Sequence, residues 1–268
     1  PTWFGHRPRP AAPAALSKTE AFHLRVLEDA AAGLRGLMSY IGDRLGIFRA
    51  MAGAGPLTLE QLAQKAGLDR RYLRGWLATM VTAQYIEYQP SGKKYVLPPE
   101  HAAVVADEES PTFAGGAIEF LWPVASVTPR LAEAFRTGRG VAQSEFPPET
   151  FEAIARESAV SFKHNLVQKW IPAMSEAEAK LRQGGTALDV GCGYGVASIL
   201  LAKAFPKARL WGYDAHAPSI EKARANAAKA GVEGRVTFEV VDAVRMPARR
   251  FDLITSFDVL HDSADPVG

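Results

Sequence analysis

Asp189 lies at the tip of a short apolar run, Thr186 to Val190, and Gly191, Gly193 and Gly195 follow it at alternate positions. Glycines at this spacing let the backbone turn tightly and come close to a ligand with no Cβ in the way. The segment after them, VASILLAKAF, sets Val196, Ile199, Leu200 and Phe205 at helical spacing. A strand, a glycine turn and a helix in that order form the nucleotide-binding corner of a doubly wound α/β sheet. The carboxylate narrows the ligand. A pyrophosphate seated at the helix N-terminus would be repelled by Asp189. A dinucleotide fingerprint also asks for a third glycine at position 196, where this chain has Val196. A carboxylate at a strand tip suits a cationic group instead, such as the ammonium of a methionine moiety.

A second acid, Asp214, ends the strand-like segment ARLWGYD (208–214), 25 residues after Asp189. An acid at that place can hold the two hydroxyls of an adenosine ribose. Pro218 to Ala230 reads as a helix stopped by Gly231. RVTFEVV (235–241) reads as a third strand, closed by Asp242 and Ala243, and FDLITSF (251–257) as a fourth. Strands alternating with helices predict a parallel sheet with the ligand over the strand C-termini.

From about residue 184 onward, LDVGCGYG, the acid of GYD, the VVDA step and FDLITSF resemble the successive motifs of class I S-adenosylmethionine (SAM)-dependent methyltransferases. The resemblance implies an α/β, Rossmann-like sheet and SAM as cofactor. Asp189, Gly191 and Gly193 would hold its methionine end, Asp214 its ribose, and Asp242 with Ala243 its adenine. Ala215 and Phe257 complete the implied cofactor-binding set. Methyl transfer from a sulfonium is an in-line displacement, in which orientation can supply ~7–11 kcal/mol of the barrier. A positioned base adds ~10²–10⁴-fold for a hydroxyl acceptor, so positioning contributes more than the base.

His261, in VLHDSADP just past the fourth strand, is the candidate base. The His261-Asp262 pair resembles the His-Asp step of plant-type phenolic O-methyltransferases, where the histidine is the base. Ser263 stands where those enzymes carry tryptophan. The alternative role for His261 is structural or cofactor-shielding. His164, in FKHNLVQKW, is either within reach of the pocket or a helix-surface residue. The other histidines show no ligand spacing, no metal cluster is suggested, and no G-x-S-x-G elbow occurs. An Asn-Pro-Pro-Tyr type motif for methylation of base amino groups is absent after the fourth strand.

The elements before this sheet must position it. Residues 1–16 hold four prolines and no apolar h-region, and are expected to be a disordered arm rather than a signal. Residues 17–105 read as a mainly α winged-helix domain. Ser17 caps a helix to about Leu34, and a second runs from Leu37 to Met51. LEQLAQKAG then closes at Gly67, and Asp69 caps RRYLRGWLATMVTA. QYIEYQPSGKKYVL forms a hairpin about Pro90-Ser91-Gly92. Arg70, Arg71, Arg74, Lys93 and Lys94 would permit phosphate contacts, but Leu73, Trp76, Leu77 and Met80 must face inward. The domain also resembles the dimerisation-type winged helix of small-molecule O-methyltransferases, and a homodimer is the preferred expectation over DNA binding.

Residues 106–183 form a broken helical connector and pocket lid, interrupted at Pro123 and at Gly138-Arg139-Gly140. Its aromatics either roof an acceptor pocket or join the two domains. Phe162, Trp170 and Met174 are the substrate-binding candidates. Residues 184–268 would be the SAM-binding domain. The resemblance implies further strands beyond the fourth, and the chain by itself is expected to bind SAM weakly and not to turn over.

Composition sets bounds: 268 residues, 47% apolar and 22% charged, with a net charge of +2 that exerts no global pull toward nucleic acid. No apolar run approaches the ~18 residues of a membrane span. The one cysteine, Cys192, rules out an intrachain disulfide and fits a reducing cytoplasm. Inside the glycine turn it reads as a small filling residue rather than a reactive thiol. The expected function is methyl transfer from SAM to a small-molecule acceptor, most simply a hydroxyl. The alternative is a SAM-sensing winged-helix transcriptional regulator.

Overall fold

The computed structural model describes residues 16–262. The expected arm, through residue 15, and Ser263 lie outside the described residues. Helix α1 (Lys18–Arg44) opens on a capping box: the Ser17 hydroxyl accepts the Glu20 N–H, and the Glu20 carboxylate accepts the Ser17 N–H. It then runs unbroken through the gap expected near Leu34, and only a short α2 (Ile47–Met51) follows it. The reason is tertiary. Cβ atoms on Gly36 and Gly42 would fall 2.8 Å from Leu121 Cδ1 and 2.4 Å from Trp76 Cζ2. These glycines are seats for neighbouring side chains, and packing outweighs their weak helix propensity.

The winged unit continues with β1 (Leu57–Thr58), α3 (Leu59–Ala66), α4 (Arg70–Thr82), β2 (Glu87–Gln89) and β3 (Lys94–Val96). Its strands pair antiparallel in the order β1-β3-β2. Asp69 caps α4 by accepting the Arg71 and Tyr72 N–H groups. Phe48, Leu62, Leu73, Trp76, Leu77 and Met80 are buried together, and the Trp76 indole N–H donates to the Met38 carbonyl at 2.8 Å. The inward face read for α4 is the face observed. Arg70 is ion-paired with Glu60 at 2.9 Å, while Arg71 and Arg74 are exposed.

The connector holds α5 (Pro99–Val105), α6 (Gly115–Thr137), α7 (Glu149–Ser161), a π-helical stretch (Phe162–Trp170) and α8 (Ser175–Gln183). The break expected at Pro123 does not occur, since α6 passes through Pro123 and Pro129. A proline costs ~3 kcal/mol in an exposed helix interior, but α6 is clasped by both α1 and α7. Pro123 is buried, and its carbonyl takes the Ser126 hydroxyl at 2.7 Å.

Beyond it come β4 (Thr186–Val190), α9 (Val196–Ala204), β5 (Arg209–Asp214), α10 (Ala217–Lys229), β6 (Val236–Val240) and β7 (Leu253–Ser256). All pair parallel in the order β6-β5-β4-β7. The winding reverses at β4, so the crevice over its C-terminus is the ligand-binding place in such a sheet. Leu201, Phe205, Ile220, Ala223 and Phe238 pack beneath it with Leu166 and Ile171 of the connector. No helix among the described residues is long and apolar enough to cross a membrane.

The tightest backbone approach of the connector is α6 against α7, where a Cβ on Gly116 would lie 2.4 Å from the Glu157 backbone nitrogen. Gly116→Ala should therefore lower stability in urea by about 1–3 kcal/mol, the usual cost of overpacking. Gly33 faces open space within α1, and Gly33→Ala should raise stability by up to ~1 kcal/mol. Equal effects at the two glycines would contradict this account.

Candidate functional site

Asp189 ends up buried at the tip of β4, where neighbours on both sides satisfy it. The Ser198 hydroxyl, from α9, donates to Oδ2 at 2.9 Å, and the Thr255 hydroxyl, from β7, donates to Oδ1 at 3.0 Å. Burial still dominates and pushes its carboxyl up to about 6, with the two hydroxyls and the Ser198 backbone N–H opposing the rise and Asp214 adding to it. A buried carboxylate held by neutral donors, with no counter-charge among the described residues, favours an incoming cation.

The glycine loop is wired to the end of β5. The Gly191 and Cys192 N–H groups both donate to the Tyr213 carbonyl, and the Gly193 N–H donates to Asp214 Oδ2 at 2.9 Å. Gly191 and Gly193 both have positive φ, at 69° and 51°. Their surroundings differ. A Cβ on Gly191 would collide with Val259, whereas one on Gly193 would meet nothing within 4 Å. Gly193 thus presents bare backbone to open space beside Asp214. Cys192 is buried, and burial raises its thiol far above the ordinary range, in keeping with a filling residue.

Asp214 is braced a second time: Oδ1 accepts the His216 N–H at 2.8 Å. Ala215, between them, is exposed. His216 stacks on Phe151 of α7 with ring centroids 4.1 Å apart, and its Nδ1 meets the Ser219 hydroxyl at 2.8 Å. Asp242 caps the 3-10 turn Ala243–Arg245 by accepting the Val244 N–H at 3.1 Å, and Ala243 is exposed.

A cleft of about 330 Å³ opens at the C-terminal end of β7, lined by Ser158, Ser161, Phe162, Trp170, Phe257 and Asp258, with Ser256. Phe257 packs against Phe162 at 4.7 Å and against Trp170 at 5.7 Å between ring centroids. Sequence reasoning put Phe257 with the cofactor and the other two with the substrate, and the fold gathers all three in one cluster. Met174 is not brought there; it is exposed at the N-cap of α8. His164 lies in the π-helical stretch, with its Nε2 buried and lacking a hydrogen-bond partner among the described residues, but it does not line the cleft.

Asp258 turns the chain with φ of 53°, Val259 then rests on Gly191, and the 3-10 turn Leu260–Asp262 follows. His261 is therefore carried at the same end of the sheet as the glycine loop, on an exposed turn. Ser198, Thr255, Phe151 and His216 were missed at the level of sequence. The first two carried a weak signal, as hydroxyls one helical turn and one strand away from a buried acid. The Phe151–His216 stack joins residues 65 apart and left none. Among the described residues no group of acids, histidines and cysteines could hold a metal ion.

Residues 32–107 match the Rv2258c-like winged HTH domain family, and residues 181–268 match a methyltransferase domain family. Ribosomal RNA small subunit methyltransferase C of Salmonella choleraesuis (strain SC-B67) is 47% identical over 79 residues, which make up 29% of this chain and 22% of that protein. The chain thus spans about a fifth of the length of the curated relatives it matches (22%). Among solved structures, the mitomycin 7-O-methyltransferase MmcR superposes with a TM-score of 0.64 at 20% identity, over 91% of this chain and 73% of that one. Human N-acetylserotonin methyltransferase, in complex with SAM, gives 0.61 at 22% identity, over 93% and 74%. At these identities the likeness is one of fold. The chain joins a stretch that matches a winged helix-turn-helix domain family to one that matches a methyltransferase domain family, on the fold of these solved methyltransferases.

Proposed function

We propose that the protein transfers a methyl group from SAM to a small-molecule acceptor, with a hydroxyl as the receiving group. The observation that carries this reading is Asp189, a buried carboxylate without a counter-charge among the described residues, next to a glycine loop whose Gly193 faces open space beside Asp214. These residues fit the cofactor. Asp189 has the charge to hold an ammonium through the Gly191–Gly193 turn. Asp214 and Ala215 suit a ribose, since both Asp214 oxygens keep lone pairs free beyond their backbone donors. Asp242 and Ala243 suit an adenine edge. When bound, SAM supplies an activated methyl on a positively charged sulfur.

The protein's own part is mostly positional. Phe257 closes the cofactor side of the cleft, and Phe162 and Trp170 wall the acceptor side and exclude water. Met174, exposed in this structure, would join only by a movement of the segment before α8. His261 would take the acceptor proton. Residues 17–105 would serve as the dimerisation unit, 106–183 as connector and lid, and 184–268 as the cofactor domain. The dimer reading is supported by apolar side chains left exposed along α1 and α6, among them Phe22, Leu27, Leu34, Leu131 and Phe135. A cytoplasmic location suits this chemistry and the single cysteine.

Calorimetric titration with SAM, S-adenosylhomocysteine and NAD tests the reading. The first two should bind, and Asp189→Ala and Asp214→Ala should abolish that binding. NAD binding alone would overturn it. In a longer chain that carries the further strands, and with a hydroxyl acceptor, His261→Ala should lower kcat by ~10²–10⁴-fold if the histidine is the base; an unchanged kcat would leave it a shielding role.

Asp189 also links binding to stability. Its carboxyl holds a proton more tightly folded than unfolded, so the native state binds more protons between the ordinary 3.8 and about 6. Stability contributed at this group is therefore highest below that window, falls as pH rises through it, and stays low above it. Asp189→Asn should be more stable than the parent at pH 7.5, by a few degrees in Tm, while losing the cofactor. In the parent, affinity for S-adenosylhomocysteine should fall below pH 6, approaching tenfold per pH unit. A pH-independent affinity between 5 and 7 would remove Asp189 from the ammonium site.

A further inference from the structure

We infer that Arg156 is a positioning residue through which the winged-helix unit sets the height of α7 over the cofactor groove; this rests on the SAM site proposed above. Arg156 lies in the middle of α7, 19% exposed, and its guanidinium is shared among three segments. It grips Asp43 of α1 with both terminal nitrogens, at 2.6 and 3.0 Å. It also donates to Glu119 of α6 at 3.3 Å and to Glu108, in the loop after α5, at 2.8 Å. Asp43 and Glu119 are buried, and the Arg156 guanidinium lies over the Phe113 ring at 4.9 Å. The next residue adds a second tie: the Glu157 carboxylate accepts the Ala117 N–H in the first turn of α6, at 2.9 Å. A two-pronged guanidinium–carboxylate contact fixes direction as well as distance.

What this node holds down is the roof of the site. Toward its N-terminus α7 carries Phe151, stacked on His216, whose N–H braces Asp214. Toward its C-terminus it carries Ser158 and Ser161 and runs without a break into Phe162, all three lining the cleft. Arg156 sits between these two contact points, so a shift at the node moves both ends of the groove together. Loosening it should weaken cofactor binding although no atom of Arg156 faces the ligand. Arg44 and Arg49 keep the cluster balanced: Arg44 lies 3.6 Å from Glu119, and Arg49 lies 3.7 Å from Asp43 and 3.5 Å from Glu108. Within this cluster, Arg156 is the member that belongs to α7.

The test is a double-mutant cycle on the whole chain, with Arg156→Gln, Asp43→Asn and both together. Affinity for S-adenosylhomocysteine is read by calorimetry, with circular dichroism and Tm recorded for each protein. Arg130→Gln, which breaks the exposed connector pair with Glu145, is the control. Each single variant should bind roughly tenfold more weakly, within the span usual for coupling between sites. The double variant should be no weaker than the weaker single, and the control should match the parent. Parent-like binding by folded Arg156→Gln or Asp43→Asn would overturn the inference and leave the cofactor reading standing. Independent, additive losses would overturn it too. Should Arg156→Gln fail to fold, Asp43→Asn, nearly isosteric and remote from the groove, decides the matter alone. A parent that does not bind S-adenosylhomocysteine at all would end both the cofactor reading and this one.

Discussion

A charged group held inside the protein without an opposite charge is the constraint around which the C-terminal half is arranged. Asp189 sits on the central strand, where the two neighbouring strands and the following helix remove it from water. Hydroxyls from α9 and β7 are what reach it. Such a group costs stability when it stands alone and gains most from a cation that reaches it. The glycine loop follows from the same need. With a side chain on Gly193, the space beside Asp214 would be filled by protein, and the β5 end would no longer be open to a ligand.

The N-terminal half contributes no residue to the acid-and-glycine frame, yet it is joined to the site by more than chain connectivity. Helix α6 is clasped between α1 and α7, and α7 with the π-helical stretch that continues it reaches the ends of β5 and β7 through Phe151 and Phe162. The buried ionic cluster at Asp43, Glu119 and Arg156 lies where these helices meet. Breaking such a cluster leaves unpaired charge in a poorly solvated place. The cluster therefore favours one spacing of the helices over its neighbours.

Legibility in the sequence followed the range of the interactions concerned. Asp189, the glycines and Asp214 could be read because a strand tip, a tight turn and a second strand tip each impose a residue type locally. The inward face of α4 was readable from Trp76, Leu73, Leu77 and Met80 for the same reason. Gly36, in the gap expected after Leu34, and Pro123 misled because their local preference is to end helices, while here they are placed by contacts from distant segments. The π-helical stretch carrying Phe162 and Trp170 has an ordinary helical pattern; its wider turn shows only in the backbone. Cys192 was readable as filler, since it packs toward Gly212 beneath the loop. The partners of Asp189 required knowing which strand lies beside β4, and strand order is a property of the whole sheet.

That strand order has a consequence for synthesis. β4 is the first strand of its sheet to leave the ribosome, and β7, which covers one of its edges, is the last of those described. Thr255 lies 66 residues after Asp189 in the chain. At about 5–20 residues per second, the edge of β4 that β7 covers stays bare for roughly 3–13 s after Asp189 is made. During that interval Asp189 lacks its second hydroxyl donor, and Val259 has not yet seated on Gly191. The corner that defines the site is therefore made first and completed last, and a nascent chain is most exposed to mispairing at the strand its chemistry depends on.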